Sequence, residues 1–324
     1  VKPLAAASFV TAPSDHFDGV RFFNLRGARG QSLKQVPEML RERRTPWPAH
    51  VPVVPQQPPV PATDDEIVVT FVGHSTFLIQ TTAGNILTDP VFVDRASPLS
   101  FIGPRRVRQP GVRFEDLPPI ALVLLSHNHY DHCDLKTLSR LHRRFRPRVV
   151  TLLKNAPLLA TKGITAVEEL DWWQPASRSP LPVVATPAQH FSARTPFDRN
   201  RALWGGFVVQ LGHRRLFFAG DSGYGPHFRE IGQRLGPIHT ALLPIGAYEP
   251  RWFMRPVHMN PEEAVVAHLD LGAVSSIGMH FGTFRLTSEG IDDPVTDLAA
   301  ARLAAGLAED QFRTLGFGES QRIL

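Results

Sequence analysis

Ile120-Ala121-Leu122-Val123-Leu124-Leu125, followed at once by Ser126-His127-Asn128-His129-Tyr130-Asp131-His132, decides how the chain is read. The six apolar residues form a buried strand. Three imidazoles and a carboxylate in the loop at its end have no packing purpose, because burying such groups is costly unless they are paired or coordinate a metal. His127 and His129, two residues apart, can point to one side and hold one ion, while Asp131 and His132 turn toward a second site beside it. A two-metal centre is the expectation, and it demands further ligands downstream.

Those ligands arrive singly, each after an apolar run. Pro182-Val183-Val184-Ala185-Thr186-Pro187 leads through Ala188-Gln189 to His190, Arg215-Leu216-Phe217-Phe218-Ala219 leads through Gly220 to Asp221, and Val274-Ser275-Ser276-Ile277-Gly278-Met279 delivers His280. A strand tip holds a ligand rigidly and leaves it open to solvent. Asp221 is the most informative of the three, because a carboxylate can bridge two cations whereas a thiolate would usually serve one. With seven candidate ligands gathered at four strand ends, a relic site without enzymatic activity is the least favoured reading.

The rest of the chain bounds the architecture. Its 324 residues suffice for one large domain with a substantial core, burying roughly 75% of the unfolded surface. Residues 1–62 carry little periodicity and end in the proline-rich Trp47–Pro61, which reads as an extended arm and connector; residues 63–324 form the catalytic domain. Strands are expected at Glu66–Phe71, Thr76–Gln80, Asn85–Thr88 and Arg148–Leu153, and Asp134 is placed to cap a helix carrying Leu135, Leu138 and Leu141 on one face. His74 reads as a hydrogen-bonded structural histidine, Cys133 as a small packed thiol, and Trp172-Trp173 as packed aromatics. In Arg251-Trp252-Phe253-Met254-Arg255, aromatic bulk between two cations suits a lipid interface and core packing equally.

Net charge is +5, from 35 basic and 30 acidic residues, and the basic stretches are short and separated, so no nucleic-acid partner is expected. No apolar run reaches the ~20 residues of a membrane span. The expected location is soluble or peripheral to a membrane, and a start at Val1 leaves room for a removed signal or anchor upstream.

The HxHxDH pattern resembles the signature of the metallo-β-lactamase superfamily, which implies an α/β, four-layer αββα sandwich. Over roughly residues 66–320 the chain is similar to one branch, the N-acylphosphatidylethanolamine-hydrolysing phospholipase D family. The resemblance rests on Gly73-His74-Ser75-Thr76, the metal loop, Glu169-Leu170-Asp171-Trp172-Trp173, Gly220-Asp221-Ser222-Gly223-Tyr224, Pro244-Ile245-Gly246-Ala247-Tyr248-Glu249-Pro250-Arg251-Trp252-Phe253-Met254, Asn260-Pro261-Glu262-Glu263-Ala264, His280-Phe281-Gly282-Thr283-Phe284 and Gly316-Phe317-Gly318-Glu319-Ser320.

By that resemblance His127, His129 and His190 hold one zinc, Asp131, His132 and His280 the other, and Asp221 lies between them; iron or manganese in place of zinc stays open. Asp89 supports the histidines without ligating. Asp131 also aims the attacking water, His258 steadies the phosphate or protonates the leaving oxygen, and Tyr130 and Gln189 line the same mouth. The implied reaction is hydrolysis of N-acylphosphatidylethanolamine-like lipids to N-acylethanolamine and phosphatidic acid. The implied partners are a phospholipid or other phosphodiester substrate, a membrane surface touched peripherally, and a second copy in a homodimer, although the arm matches the family less clearly. A lactonase or other soluble-substrate ester or phosphodiester hydrolase on the same scaffold is the alternative, followed by a nuclease.

Overall fold

The apolar runs do become strands, and the polar tips collect at one end of them. The computed structural model describes residues 13–25, 35–42 and 44–323. Its first half comprises α1 (Val36–Arg41), β1 (Ile67–Gly73), β2 (Thr76–Thr81), β3 (Gly84–Thr88), β4 (Ile120–Leu125), α2 (Leu135–Phe145), β5 (Arg148–Leu152), α3 (Ala156–Ala160) and β6 (Val167–Leu170). The second half comprises β7 (Val183–Thr186), β8 (Gly206–Leu211), β9 (Arg214–Phe218), α4 (His227–Leu235), β10 (Thr240–Pro244), α5 (Arg251–Met254), α6 (Pro261–Leu271), β11 (Ser275–Met279), α7 (Asp293–Ala304), β12 (Phe312–Arg313) and β13 (Ser320–Ile323).

Two mixed sheets result, one ordered β13-β1-β2-β3-β4-β5-β6 and the other β12-β11-β10-β9-β8-β7. In the first, β3 through β6 run parallel; in the second, β9 through β12 do. Successive side chains on a strand point to opposite faces, and β4 shows the consequence. Leu122 and Leu124 enter the core shared with the second sheet, where they join Phe207, Phe217 and Leu242. Val123 and Leu125 face the other way, onto Leu138 and Leu141 of α2. Helix α6 packs on β10 and against α4 and α7, covering the second sheet. The order helix, sheet, sheet, helix is the expected four-layer sandwich.

Asp134 caps α2 as its position predicts, accepting from the backbone N–H of Lys136 at 2.9 Å and of Thr137 at 3.1 Å. Asn260 does the same for α6 through Glu263 N–H at 3.0 Å. Strands β6, β8, β10, β12 and β13 are elements that sequence reading passed over, and β6 shows why. Charged Glu168 and Glu169 disguise it, yet Glu168 is buried and its carboxylate accepts from Ser177 and Arg178. Within residues 13–25 of the arm, Phe17 and Phe22 are fully buried in the main core, and Trp172 is buried with the His16 ring stacked on it at 4.4 Å. The proline-rich connector lies along the domain, where Val51 N–H bonds Val107 O and Gln56 N–H bonds Gly111 O. Among the described residues no helix is long and apolar enough to cross a membrane.

Candidate metal centre

Parallel pairing explains why distant residues meet. Asp89 follows β3 and His127 follows its parallel neighbour β4, while Asp221 follows β9 and His280 follows β11 of the same parallel group. The ends of both sheets therefore face one space. Three of the residues around it, His74, Asp89 and His280, have left-handed backbones with φ of 59°, 31° and 63°. Such conformations cost free energy in non-glycine residues and cluster at functional sites.

Buried Asp89 organises the metal loop. Its Oδ1 accepts Ser126 N–H at 2.7 Å, and its Oδ2 accepts Ser126 Oγ–H at 2.5 Å and His132 Nδ1–H at 2.6 Å. Ser126 Oγ in turn accepts His127 Nδ1–H at 2.9 Å. Both imidazoles thereby use Nδ1 as the donor and aim Nε2 inward. His190 reaches the same arrangement differently, donating Nδ1–H to Val257 O at 2.9 Å.

Two groups of donor atoms follow. In the first, His129 Nδ1 lies 2.8 Å from His127 Nε2 and 3.2 Å from His190 Nε2. In the second, Asp131 Oδ2 lies 3.5 Å from His132 Nε2 and 3.4 Å from His280 Nε2. Asp221 Oδ2 stands between them, 4.0 and 3.7 Å from His127 and His190 on one side and 3.1 and 3.2 Å from His132 and His280 on the other.

This donor set fits a pair of cations. His132 Nε2, His280 Nε2 and Asp221 Oδ1 are buried without a hydrogen-bond partner, a costly state for polar atoms unless an ion satisfies them. In the first group at most one proton can be shared among three converging ring nitrogens, so two lone pairs face each other unless a cation lies between them.

Electrostatics agrees. Burial, reinforced by neighbouring imidazoles, holds His127 well below its ordinary value and pushes His129 down to about 3; burial also brings His190 to about 4. All three offer lone pairs at neutral pH. Burial opposes charge on His132 and His280, but Asp221 and Asp131 outweigh it, raising the first well above the ordinary value and the second to about 9. Burial likewise opposes ionisation of the two carboxylates, yet the surrounding imidazoles keep both well below the usual range. A site that draws protons onto ligand histidines in this way is a site built for positive charge.

All seven sequence-predicted ligands thus come together. His258 joins them, buried, with Nε2 3.9 Å from Asp221 Oδ2 and Nδ1 unpartnered. His74 sits behind the second group and donates to Asp131 Oδ2 at 3.0 Å. Tyr130 and Gln189 part company. Tyr130 lines a cavity of about 400 Å³ and donates to Arg194 O at 3.0 Å. Gln189 lines a separate pocket of about 40 Å³ and donates to Pro256 O at 3.0 Å. His129, Tyr130 and Asp131 are partly exposed while His127, His132, His190, Asp221 and His280 are buried, so the site opens along the 129–131 edge. Cys133 is fully buried, and burial pushes its thiol up to about 12. Arg251 and Arg255 both pair with Glu263, Trp252 is 38% exposed and donates to Glu42, and Met254 is buried.

Two supporting residues escaped sequence reading. Asn24 grips the His190 backbone from the arm, with Nδ2 donating to its O at 2.9 Å and Oδ1 accepting its N–H at 3.0 Å. Arg194 donates to Asn128 O at 2.8 Å and Cys133 O at 3.0 Å, bracing both ends of the metal loop, and lies 3.9 Å over the Tyr130 ring. Neither belongs to a motif.

Residues 84–281 match the family described as Beta-lactamase superfamily domain. The chain is 38% identical over 274 residues to N-acyl-phosphatidylethanolamine-hydrolyzing phospholipase D 1 of Caenorhabditis elegans, a match covering 79% of this chain and 76% of that protein. It is 34% identical over 232 residues to the mitochondrial N-acyl-phosphatidylethanolamine-hydrolyzing phospholipase D of Saccharomyces cerevisiae, covering 69% of this chain and 49% of the relative, about half its length. Among solved structures, Igni18, a metallo hydrolase from the archaeon Ignicoccus hospitalis, superposes with a TM-score of 0.59 at 24% identity, covering 80% of this chain and 99% of that one.

Proposed function

Because the chain belongs to the metallo-β-lactamase superfamily and, within it, to the N-acylphosphatidylethanolamine-hydrolysing phospholipase D family, we propose that it is a dizinc phosphodiesterase. Its substrate in this reading is an N-acylphosphatidylethanolamine-like phospholipid, cleaved to an N-acylethanolamine and phosphatidic acid. The observation that carries the reading is Asp221 Oδ2 standing between two donor groups, one of three imidazoles and one of two imidazoles and a carboxylate. His127, His129 and His190 would hold one ion, Asp131, His132 and His280 the other, with Asp221 shared. When bound, such a pair supplies a strong nucleophile from water at neutral pH and positive charge for the phosphoryl oxygens.

The protein's own groups do the positioning. Asp131 presents its carboxylate at the open edge, fixed from behind by His74, and can accept a hydrogen bond from the attacking water and so aim it. Burial holds His258 well below its ordinary value, so at neutral pH it is a neutral imidazole. It therefore acts as an N–H donor to a phosphate or leaving oxygen rather than as a stored imidazolium. Tyr130 flanks the approach, whereas Gln189, turned to Pro256, supports the loop that carries Val257 and His258.

The test compares the purified chain with Asp221→Asn for metal content and for hydrolysis of vesicles containing N-acylphosphatidylethanolamine. Two metals per chain and release of N-acylethanolamine, both reduced in the variant, support site and substrate. Two metals without lipid turnover overturn the substrate and direct attention to soluble esters and diesters.

A further inference from the structure

The cavity beside Tyr130 is roofed by a segment that the chemistry above does not use. Residues 94–106 double back as a hairpin: Arg106 N–H bonds Asp94 O at 2.8 Å, Ala96 N–H bonds Pro104 O at 3.1 Å, and Arg95 Nη1 donates to Gly103 O at 2.6 Å. Its base is rigid, since buried Arg106 donates to Val91 O at 2.8 Å and Val93 O at 3.0 Å under the Phe284 ring. Its tip is the reverse of a core. Residues 98–103 are all exposed, and among them Leu99 is 47%, Phe101 75% and Ile102 57% exposed. Three large apolar side chains within four residues, offered to water on a braced hairpin, need a partner phase.

Charge identifies that phase. Arg95, Lys136, Lys162 and Arg194 line the cavity under the tip, and among the described residues none of these four forms an ion pair with a carboxylate. Of the two acids on the same wall, Asp134 is engaged by the backbone of Phe92, Lys136 and Thr137, which leaves exposed Asp94 against four cations. Phe197, 82% exposed, adds a further apolar point in the turn that starts at Arg194. Apolar tips ringed by unneutralised Lys and Arg match the two layers of an anionic bilayer, acyl chains below and phosphates above. The 251–255 segment lacks this character, because its arginines are both paired with Glu263.

We propose that the 97–103 hairpin tip docks the protein on an anionic phospholipid surface by inserting Leu99, Phe101 and Ile102, with the cations of the Tyr130 cavity taking lipid phosphates. In that pose the open 129–131 edge of the metal site faces the headgroup layer, so a phosphodiester reaches it without leaving the bilayer. The inference rests on the reading of the substrate as a phospholipid, and the test therefore reads binding alone, apart from turnover.

The test is sedimentation of the full chain with sucrose-loaded vesicles of phosphatidylcholine, with and without about 30% phosphatidylglycerol. The wild-type protein is expected to pellet with the anionic vesicles, and less so as salt is raised. The double substitution Phe101→Ser, Ile102→Ser is expected to weaken partition by about tenfold or more, with an unchanged melting curve. Lys136→Gln with Lys162→Gln is expected to weaken binding to anionic vesicles several-fold and to leave pure phosphatidylcholine binding as it was. Wild-type protein remaining in the supernatant, or a tip variant that pellets like wild type, overturns the proposal. Vesicle binding without N-acylphosphatidylethanolamine turnover would leave it standing and refute only the substrate.

Discussion

His132 donates Nδ1–H to Asp89 Oδ2 at 2.6 Å, and this single bond turns its Nε2 toward Asp221 Oδ2, 3.1 Å away. Asp89 is fully buried and also fixes His127 through Ser126. It thus sets a ring in each of the two donor groups without belonging to either. Replacing it by Asn is expected to lower metal affinity about 10–100-fold, the range for partners that orient ligand histidines. Competition titration with a chromophoric chelator checks this, and unchanged affinity would contradict the orienting role.

Gly220 permits the approach that puts Asp221 in place. Its φ is +61°, and a Cβ built there meets Ser126 Cβ at 2.7 Å, the residue Asp89 is holding. Gly220→Ala must either twist the backbone or push the metal loop. A loss of about 1–3 kcal/mol is expected, together with a drop in metal content, read by urea titration and elemental analysis. Full stability with full metal content would show that the loop yields at no cost.

His258 is close to the centre but not required to complete either donor group. His258→Gln is therefore expected to keep the wild-type metal content while turnover falls about 100-fold, the scale of lost proton-transfer or hydrogen-bond assistance. Loss of metal in the variant would instead make His258 a ligand.

The site was legible because its residues are chemically conspicuous and stand where strands end. His190, Asp221 and His280 each follow an apolar run that a period-two reading detects, and HxHxDH has a density that packing does not explain. The bracing was not legible. Asn24 and Arg194 act through backbone groups, by contacts 166 and 66 residues along the chain, and nothing local marks an amide or a guanidinium for such a task. Tyr130 and Gln189 illustrate the same limit: each neighbours a ligand in sequence, yet side-chain direction sends them to different cavities. Strand β6 was obscured because its buried Glu168 is satisfied by a loop nine and ten residues on.

Phe17 tests whether the arm belongs to the domain. Its ring is fully buried, 4.5 Å from the Phe22 ring and with Lys154 Nζ 4.0 Å above it. Phe17→Ala is expected to destabilise the chain by about 3–5 kcal/mol, as for a large aromatic removed from a core. A denaturation midpoint equal to that of wild type would show that residues 13–25 add nothing to the fold.

The same arm carries a pH-dependent clasp. His16 Nε2 donates to Asp171 Oδ1 at 2.8 Å and Nδ1 to Asp15 at 2.5 Å, with its ring stacked on Trp172. Burial opposes its charge, but the bonds to Asp171 and Asp15 outweigh burial and hold the imidazole above its ordinary value of 6.5. The folded chain therefore favours protonated His16 more than the unfolded chain does. That stabilisation is complete below the unfolded value and disappears as pH rises through the higher folded value. In Asp171→Asn the main charge partner is gone while the stacking stays. Denaturation midpoints of the two proteins are expected to differ most below the ordinary imidazole value of 6.5 and to converge as pH is raised above it. A gap that stays constant across that window would mean that His16 is neutral in the folded protein and that the bond to Asp171 acts without charge.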